Sequence, residues 1–393
     1  MSPHGQEAAR GRFILSPLVS VLILTKHLFS ALNESVYCAE RLIVMNKTII
    51  LICTLTITTT GCHNSAPTKP IPTTSIRSDT VSGMIQYLEH QKLPALKSVQ
   101  PWQNPYGPGL KLTTGHYEIY TTLLEPLMLS QVPGFVESAY RGYNSQLPEP
   151  LETGTKFTTY LFADRDQWDD FTIDFAGRFA PVYLKIKAGA YYLNGACVAY
   201  NIGRERTFSV IGHEGWHQFT SRLFRYRLPS WLDEGIAMLF ETSRYDGGLF
   251  YFEPGQNSYR LGGLKKTLAE GRIIPLARLI AINPGEVLTK NHGEGVTAFY
   301  SQAYVLVRFL REDDYGKRLR NYHRMLLGGV HGTWLLDKND RRIAVDRNLP
   351  RTVPWNRKIG LMLFKHYIGD DLKKIENEYI AFCRKTTYPV KIK

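Results

Sequence analysis

The sequence predicts an α+β protein with a sheet-containing first lobe over residues 81–204 and a mainly helical second lobe over residues 205–393. Two observations carry this reading. Up to Arg204 the apolar residues tend to alternate, as in half-buried strands, whereas beyond it they recur at helical spacing in long runs. The length of 393 residues also exceeds what one core usually serves, which favours two lobes or domains.

In chain order, residues 109–124 alternate and are rich in Thr, Tyr and Ile, which predicts a strand or hairpin. A helix is expected around 133–143, a strand at 156–163 and a short helix at 166–175. Residues 181–200 read as paired strands, with Asn194-Gly195 as a two-residue type I′ turn. Helical patterns then follow at about 205–224, 230–242, 260–270, 298–312 and 357–386.

Hydrophobic residues make up 44% of the chain, which excludes intrinsic disorder, collagen and a disulfide-stapled miniprotein. No run reaches the roughly 18 apolar residues of a membrane-spanning helix, so a polytopic membrane protein is excluded too. The net charge of +13 raises the question of a nucleic-acid partner. However, the densest basic run, residues 308–320, is broken by acids and lacks the block structure of a nucleic-acid surface. The basic residues read as a solvated face, no nucleic-acid partner is expected, and a membrane surface is the remaining anionic partner.

Residues 45–62, MNKTIILICTLTITTTGC, have the layout of a compact signal peptide. Their end, Thr59-Thr60-Gly61-Cys62, resembles a bacterial lipoprotein box, although Thr59 stands where that box prefers leucine. The resemblance implies a start at Met45, an over-extended leader at 1–44, a signal peptide at 45–61 and lipidation of Cys62. It also implies a bacterial cell-envelope protein, anchored to the membrane by that lipid and facing the periplasm. Residues 62–80 are rich in Pro and Thr and suit a tether. A buried strand or helix is the other reading of 45–62. Cys197 and Cys383 are then the only possible disulfide pair, and buried free thiols are the other option.

The chemistry centres on His213-Glu214-Gly215-Trp216-His217, an H-E-x-x-H motif in which Phe208, Ile211, Phe219 and Leu223 recur at helical spacing. On a helix, positions i and i+4 share a face, so His213 and His217 can reach one Zn²⁺ ion while Glu214 projects beside them as a general base. Gly212 and Gly215 are costly in a helix and predict close packing against another backbone. A third ligand is available in Glu234, seventeen residues after His217. The S-x-x-D pattern of Ser230 and Asp233 marks a helix start there.

Here the sequence resembles the gluzincin metallopeptidases. Trp231 to Ala237, W-L-D-E-G-I-A, nearly repeats the W-L-N-E-G-F-A segment of the alanyl aminopeptidase branch, with a spacing two residues shorter. The likeness is closer to bacterial gluzincin-like lipoproteins of unassigned function and spans roughly Lys111 to Leu310. It implies a thermolysin-like two-lobed fold, one zinc per chain held by His213, His217 and Glu234, and a peptidase acting on a peptide or protein substrate with Glu214 as base. It also implies an oxyanion role for Tyr300, in a Y-S-Q-A segment where the branch has Y-E-K-G-A; a structural phenol is the alternative.

The hairpin at 189–200 is either a substrate-receiving edge or an ordinary hairpin. It lacks the glutamate with which the branch captures a free amino terminus, which favours an endopeptidase or an unusual peptide. Glu241, two turns after Glu234, is either an outer partner of a ligand imidazole or a solvated acid at the helix end. His116 and His292 read as structural or surface histidines. The rival function is a surface-anchored binding or assembly protein that keeps the gluzincin fold without turnover.

Overall fold

The computed structural model describes residues 80–187, 189–284, 286 and 294–390. The leader, the signal peptide, Cys62, all of the tether but Thr80, and His292 lie outside the described residues. The architecture is α+β, with a six-stranded mixed sheet, a separate two-stranded hairpin and helices that dominate after residue 204. Among the described residues no helix is long and apolar enough to cross a membrane.

The chain opens with α1 (Val81–Gln91) and β1 (Ser98–Trp102), continues through β2 (Gly109–Thr113), β3 (Tyr117–Thr121) and α2 (Pro126–Asn144), and then forms β4 (Phe157–Phe162) and α3 (Arg165–Ala176). The hairpin β5 (Ala190–Leu193) and β6 (Ala196–Tyr200) completes the main sheet, in the order β1-β2-β3-β4-β6-β5. Strands β3, β4 and β6 run parallel to one another, while the β1–β2, β2–β3 and β5–β6 pairs are antiparallel, leaving β5 at an edge. Asn194 and Gly195 both have left-handed φ, at 49° and 85°, as a type I′ turn requires.

All five residues of β6 are buried, because the sheet is covered on both faces. Ala199 joins the main core, whereas Val198 packs with Trp168, Phe171 and Tyr191 in a smaller cluster beneath α3. The main core continues from Met84 to Cys383, through α4 (Arg204–Leu223) and α5 (Ser230–Ala237). Beyond them come the hairpin β7 (Ser243–Asp246) and β8 (Leu249–Phe252), α6 (Ser258–Ala269), α7 (Glu294–Glu312), α8 (Leu319–His331), α9 (Lys338–Val345), α10 (Val353–Tyr367) and α11 (Leu372–Thr387). Cys197 and Cys383 are buried free thiols and do not pair.

Several elements differ from the expectation. Residues 181–200 are not strand throughout: Ala180–Tyr183 is a helical turn, and the Arg165 guanidinium takes the carbonyls of Leu184 and Ile186 that strand pairing would need. Helix α2 starts two turns before Pro133, at Pro126, where the Glu125 carboxylate accepts from the N–H groups of Leu127 and Met128. The long helix expected at 357–386 is two helices, because Gly369 takes a φ of 152° and Asp371 caps a new helix from Leu372 by accepting from the Lys374 N–H. The β7–β8 hairpin had a legible signal in Gly247-Gly248, both with positive φ, inside a stretch too short to show alternation.

A buried carboxylate fastens α2 to the sheet. Glu137 accepts from the Thr114 hydroxyl at 2.6 Å, the His116 N–H at 2.7 Å and the His116 ring Nδ1 at 2.7 Å. Burial pushes its pKa up, but these donors outweigh it and hold the carboxyl below its ordinary value. The clamp is therefore fully present above the unfolded carboxyl pKa of about 4.3 and is lost as pH falls through the folded value. Glu137→Gln is expected to lower stability by about 1.5–3 kcal/mol at pH 7 in urea unfolding, with the difference shrinking below about pH 4. An unchanged midpoint at pH 7 would show that the clamp contributes nothing.

Candidate metal centre

Helix α4 carries His213, Glu214 and His217, and its glycines allow its neighbours to come close. A Cβ on Gly212 would lie 2.3 Å from the Phe240 carbonyl oxygen, and one on Gly215 would lie 2.3 Å from the Tyr143 hydroxyl. That hydroxyl donates to the Gly212 carbonyl at 2.8 Å. One residue past His217, Gln218 donates to the carbonyls of Thr158 in β4 and Gly195 in the β5–β6 turn, both at 2.7 Å. The helix is thereby held to the sheet and its edge hairpin on one side, and to the segment following α5 on the other.

This packing brings His213, His217 and Glu234 together. The two Nε2 atoms are 3.3 Å apart, and Glu234 Oε2 lies 3.4 Å from the first and 3.8 Å from the second. Ligands on bonds of 2.0–2.1 Å at tetrahedral angles stand about 3.3–3.4 Å apart, so these separations suit one small tetrahedral cation. Glu234 Oε2 is buried and has no hydrogen-bond partner, as befits an oxygen reserved for a metal. The donor set of two imidazoles and one carboxylate fits Zn²⁺.

Each imidazole has a carboxylate on its far side. His213 Nδ1 lies 3.0 Å from Glu241 Oε1, and His217 Nδ1 lies 3.3 Å from Asp233 Oδ1. The ionised Glu241 only accepts, so His213 Nδ1 carries a hydrogen and turns Nε2 towards the shared centre, while Asp233 lies beside His217 Nδ1 at ion-pair distance without hydrogen-bond geometry. The Glu241 side chain, 6% exposed, is not a solvated acid; it also receives Arg260 at 2.6 and 2.8 Å and Asn257 at 3.1 Å. Burial opposes its charge, yet Arg260 and His213 prevail and draw its pKa down to about 2. Burial likewise opposes a charged His213, but Glu234 and Glu241 outweigh it and raise its pKa to about 10.

Glu214 stands apart electrostatically. Burial raises its carboxyl pKa, and nearby Glu234 adds to the rise, against the pull of His213 and His217. The backbone of Tyr192 in β5 favours its charged form, while its Oε2 is buried without a partner. Tyr300, in α7, is buried with the Arg260 guanidinium 5.4 Å from its ring centre. Arg260 thus stands between Tyr300 and Glu241.

The sequence reading missed Asp233 as the partner of His217. Its S-x-x-D pattern pointed to a capping role, but no side-chain cap bond forms at this helix start. The Ser230 N–H is instead taken by the Asn356 side chain at 2.7 Å, which leaves the Asp233 carboxylate for His217 and for Arg351 at 2.8 Å. Burial opposes its ionisation, but His217 and Arg351 prevail and hold its pKa far below the usual carboxylate range. Arg260, Asn257 and Arg351 carried no local signal. Comparison of the chain with known protein families, curated proteins and solved structures finds no match.

Proposed function

We propose that this chain is a zinc-dependent metallohydrolase, a peptidase with a thermolysin-like two-lobed fold, acting on a peptide or protein substrate. The carrying observation is that three ligand atoms stand at tetrahedral separations with Glu214, a buried carboxylate of raised pKa, on the same helix. His213, His217 and Glu234 would hold one Zn²⁺. When bound, that ion supplies Lewis-acid polarisation of a carbonyl and acidification of water from a pKa of 15.7 towards about 7.

The chain's own residues do the rest. Glu214 takes the proton from the attacking water and returns it to the leaving amine, a transfer that its raised pKa favours. Glu241 holds the His213 imidazole in the tautomer that ligation needs, and the Asp233 charge lies beside His217. The free edge of β5 offers main-chain groups to which an extended peptide can pair, and the backbone of Tyr192 in that edge favours the charged form of the base. Tyr300 is the candidate stabiliser of the oxyanion, by resemblance. We assign the protein to the bacterial envelope, lipid-anchored at Cys62.

The test is cleavage of a mixed peptide library by zinc-supplied protein, with and without a chelator. Cleavage that the chelator abolishes and added zinc restores supports the reading. Stable zinc binding with no cleavage of any peptide would favour the surface-anchored binding protein instead.

A further inference from the structure

Three guanidiniums gather beside the zinc-ligand segment, and no step of the hydrolysis uses them. Arg351 donates to Asp233 at 2.8 Å and to the Ser230 hydroxyl at 3.3 Å. Arg347 donates to the carbonyls of Ala344 at 2.9 Å and Phe224 at 2.8 Å. Arg227, 7% exposed, donates to the carbonyls of Leu349 at 2.9 Å and Asp346. Its ionisation is disfavoured by burial and by Arg351 and Arg347, and favoured by Asp346 and Asp233. Of the three, Arg351 is bonded to a carboxylate, whereas the side-chain hydrogen bonds of Arg347 and Arg227 go to backbone carbonyls.

Holding a loop by its carbonyls explains these hydrogen bonds, and neutral donors would serve that purpose. It does not explain why two full positive charges are spent on carbonyls. Nor does it explain the Nε–H groups of Arg227 and Arg351, which are buried without an acceptor among the described residues. Buried cationic donors left unmatched are costly, so such a cluster points to an anion that completes it. Guanidiniums suit a planar carboxylate, which they bind in bidentate fashion.

The location ties this cluster to the cleft. Arg351 reaches His217 through a single residue, Asp233. Arg347 donates to the carbonyl of Phe224, the residue that ends the helix carrying His213 and His217. We propose that Arg347, Arg351 and Arg227 form a substrate-recognition subsite for a single carboxylate, placed within a residue or two of the scissile bond. The subsite rests on the metallohydrolase reading and narrows its substrates to peptides that present a carboxylate there, from either a free C-terminus or an acidic side chain.

The experiment uses three peptide hydroxamates that differ only in their last residue: one with a free terminal carboxylate, one with a terminal carboxamide, and one with a carboxamide and an aspartate side chain. Binding to the zinc-supplied protein is measured by titration calorimetry, with zinc content determined on the same sample. At least one carboxylate probe is expected to bind about tenfold or more tighter than the plain carboxamide. Which of the two does so identifies the source of the anion. In Arg347→Gln the preference should shrink to less than about threefold at full zinc content. Should that variant fail to fold, the parent's ranking of the three probes still decides.

Equal binding of all three to the zinc-bearing parent would overturn the subsite and leave the metallohydrolase reading intact. Absence of zinc from the parent would instead remove that reading, and the subsite with it.

Discussion

His217→Ala should lose its zinc: the parent, offered zinc and then dialysed, is expected to retain about one ion per chain, and the variant close to none. The two Nε2 atoms and Glu234 Oε2 stand 3.3–3.8 Å apart, so each ligand supplies one corner of a single small site. Removing an outer partner of a ligand typically weakens metal binding about 10–100-fold, and removing a ligand itself should exceed the upper end of that range. Mass spectrometry of the metal content reads the result directly. A parent that carries no metal after exposure to zinc would make the H-E-x-x-H arrangement a relic and shift the weight to the binding protein.

Glu214→Gln should keep its zinc and its fold but lose turnover by about 10²–10⁴-fold, the usual contribution of a positioned base. The substitution preserves shape and removes only the capacity to take a proton. Burial already raises the pKa of this carboxyl, so its ionised form costs folding energy that the amide does not. The variant is therefore expected to melt no lower than the parent in a thermal scan, which separates loss of chemistry from loss of structure. Parent-like hydrolysis by a zinc-loaded Glu214→Gln protein would rule out the mechanism.

The parts of the site that were legible in the sequence are the local ones. His213 and His217 share a helix face because an α-helix repeats every 3.6 residues, a geometry set by the backbone whatever surrounds it. The glycines at 212 and 215 signalled close packing against another backbone; at Gly212 the Phe240 carbonyl supplies it, whereas at Gly215 the close group is the Tyr143 side-chain hydroxyl. Asn194-Gly195 specified its own turn, because few other dipeptides accept two successive left-handed residues. Glu241 was visible as a candidate two turns after Glu234, though spacing alone left it balanced between a metal-site partner and a solvated acid.

Asp233 shows where local reading misleads. Its spacing from Ser230 matched a capping pattern, yet Asn356, 126 residues away from Ser230, takes the backbone donor, and Arg351 and His217 claim the carboxylate. The single helix expected at 357–386 failed similarly, since a continuous apolar pattern does not register one glycine at a φ of 152°.

By itself the sequence pointed to the α+β class and to His213, Glu214, His217 and Glu234 as one group, because periodicity, turn chemistry and i, i+4 spacing act over a few residues. Only the tertiary structure decided the strand order, the separations among His213, His217 and Glu234, the enclosure of the Glu241 side chain and the bond from Arg351 to Asp233. The physical reason is range: hydrogen bonds and charges choose partners by distance in space, and those partners lie tens to more than a hundred residues apart along the chain.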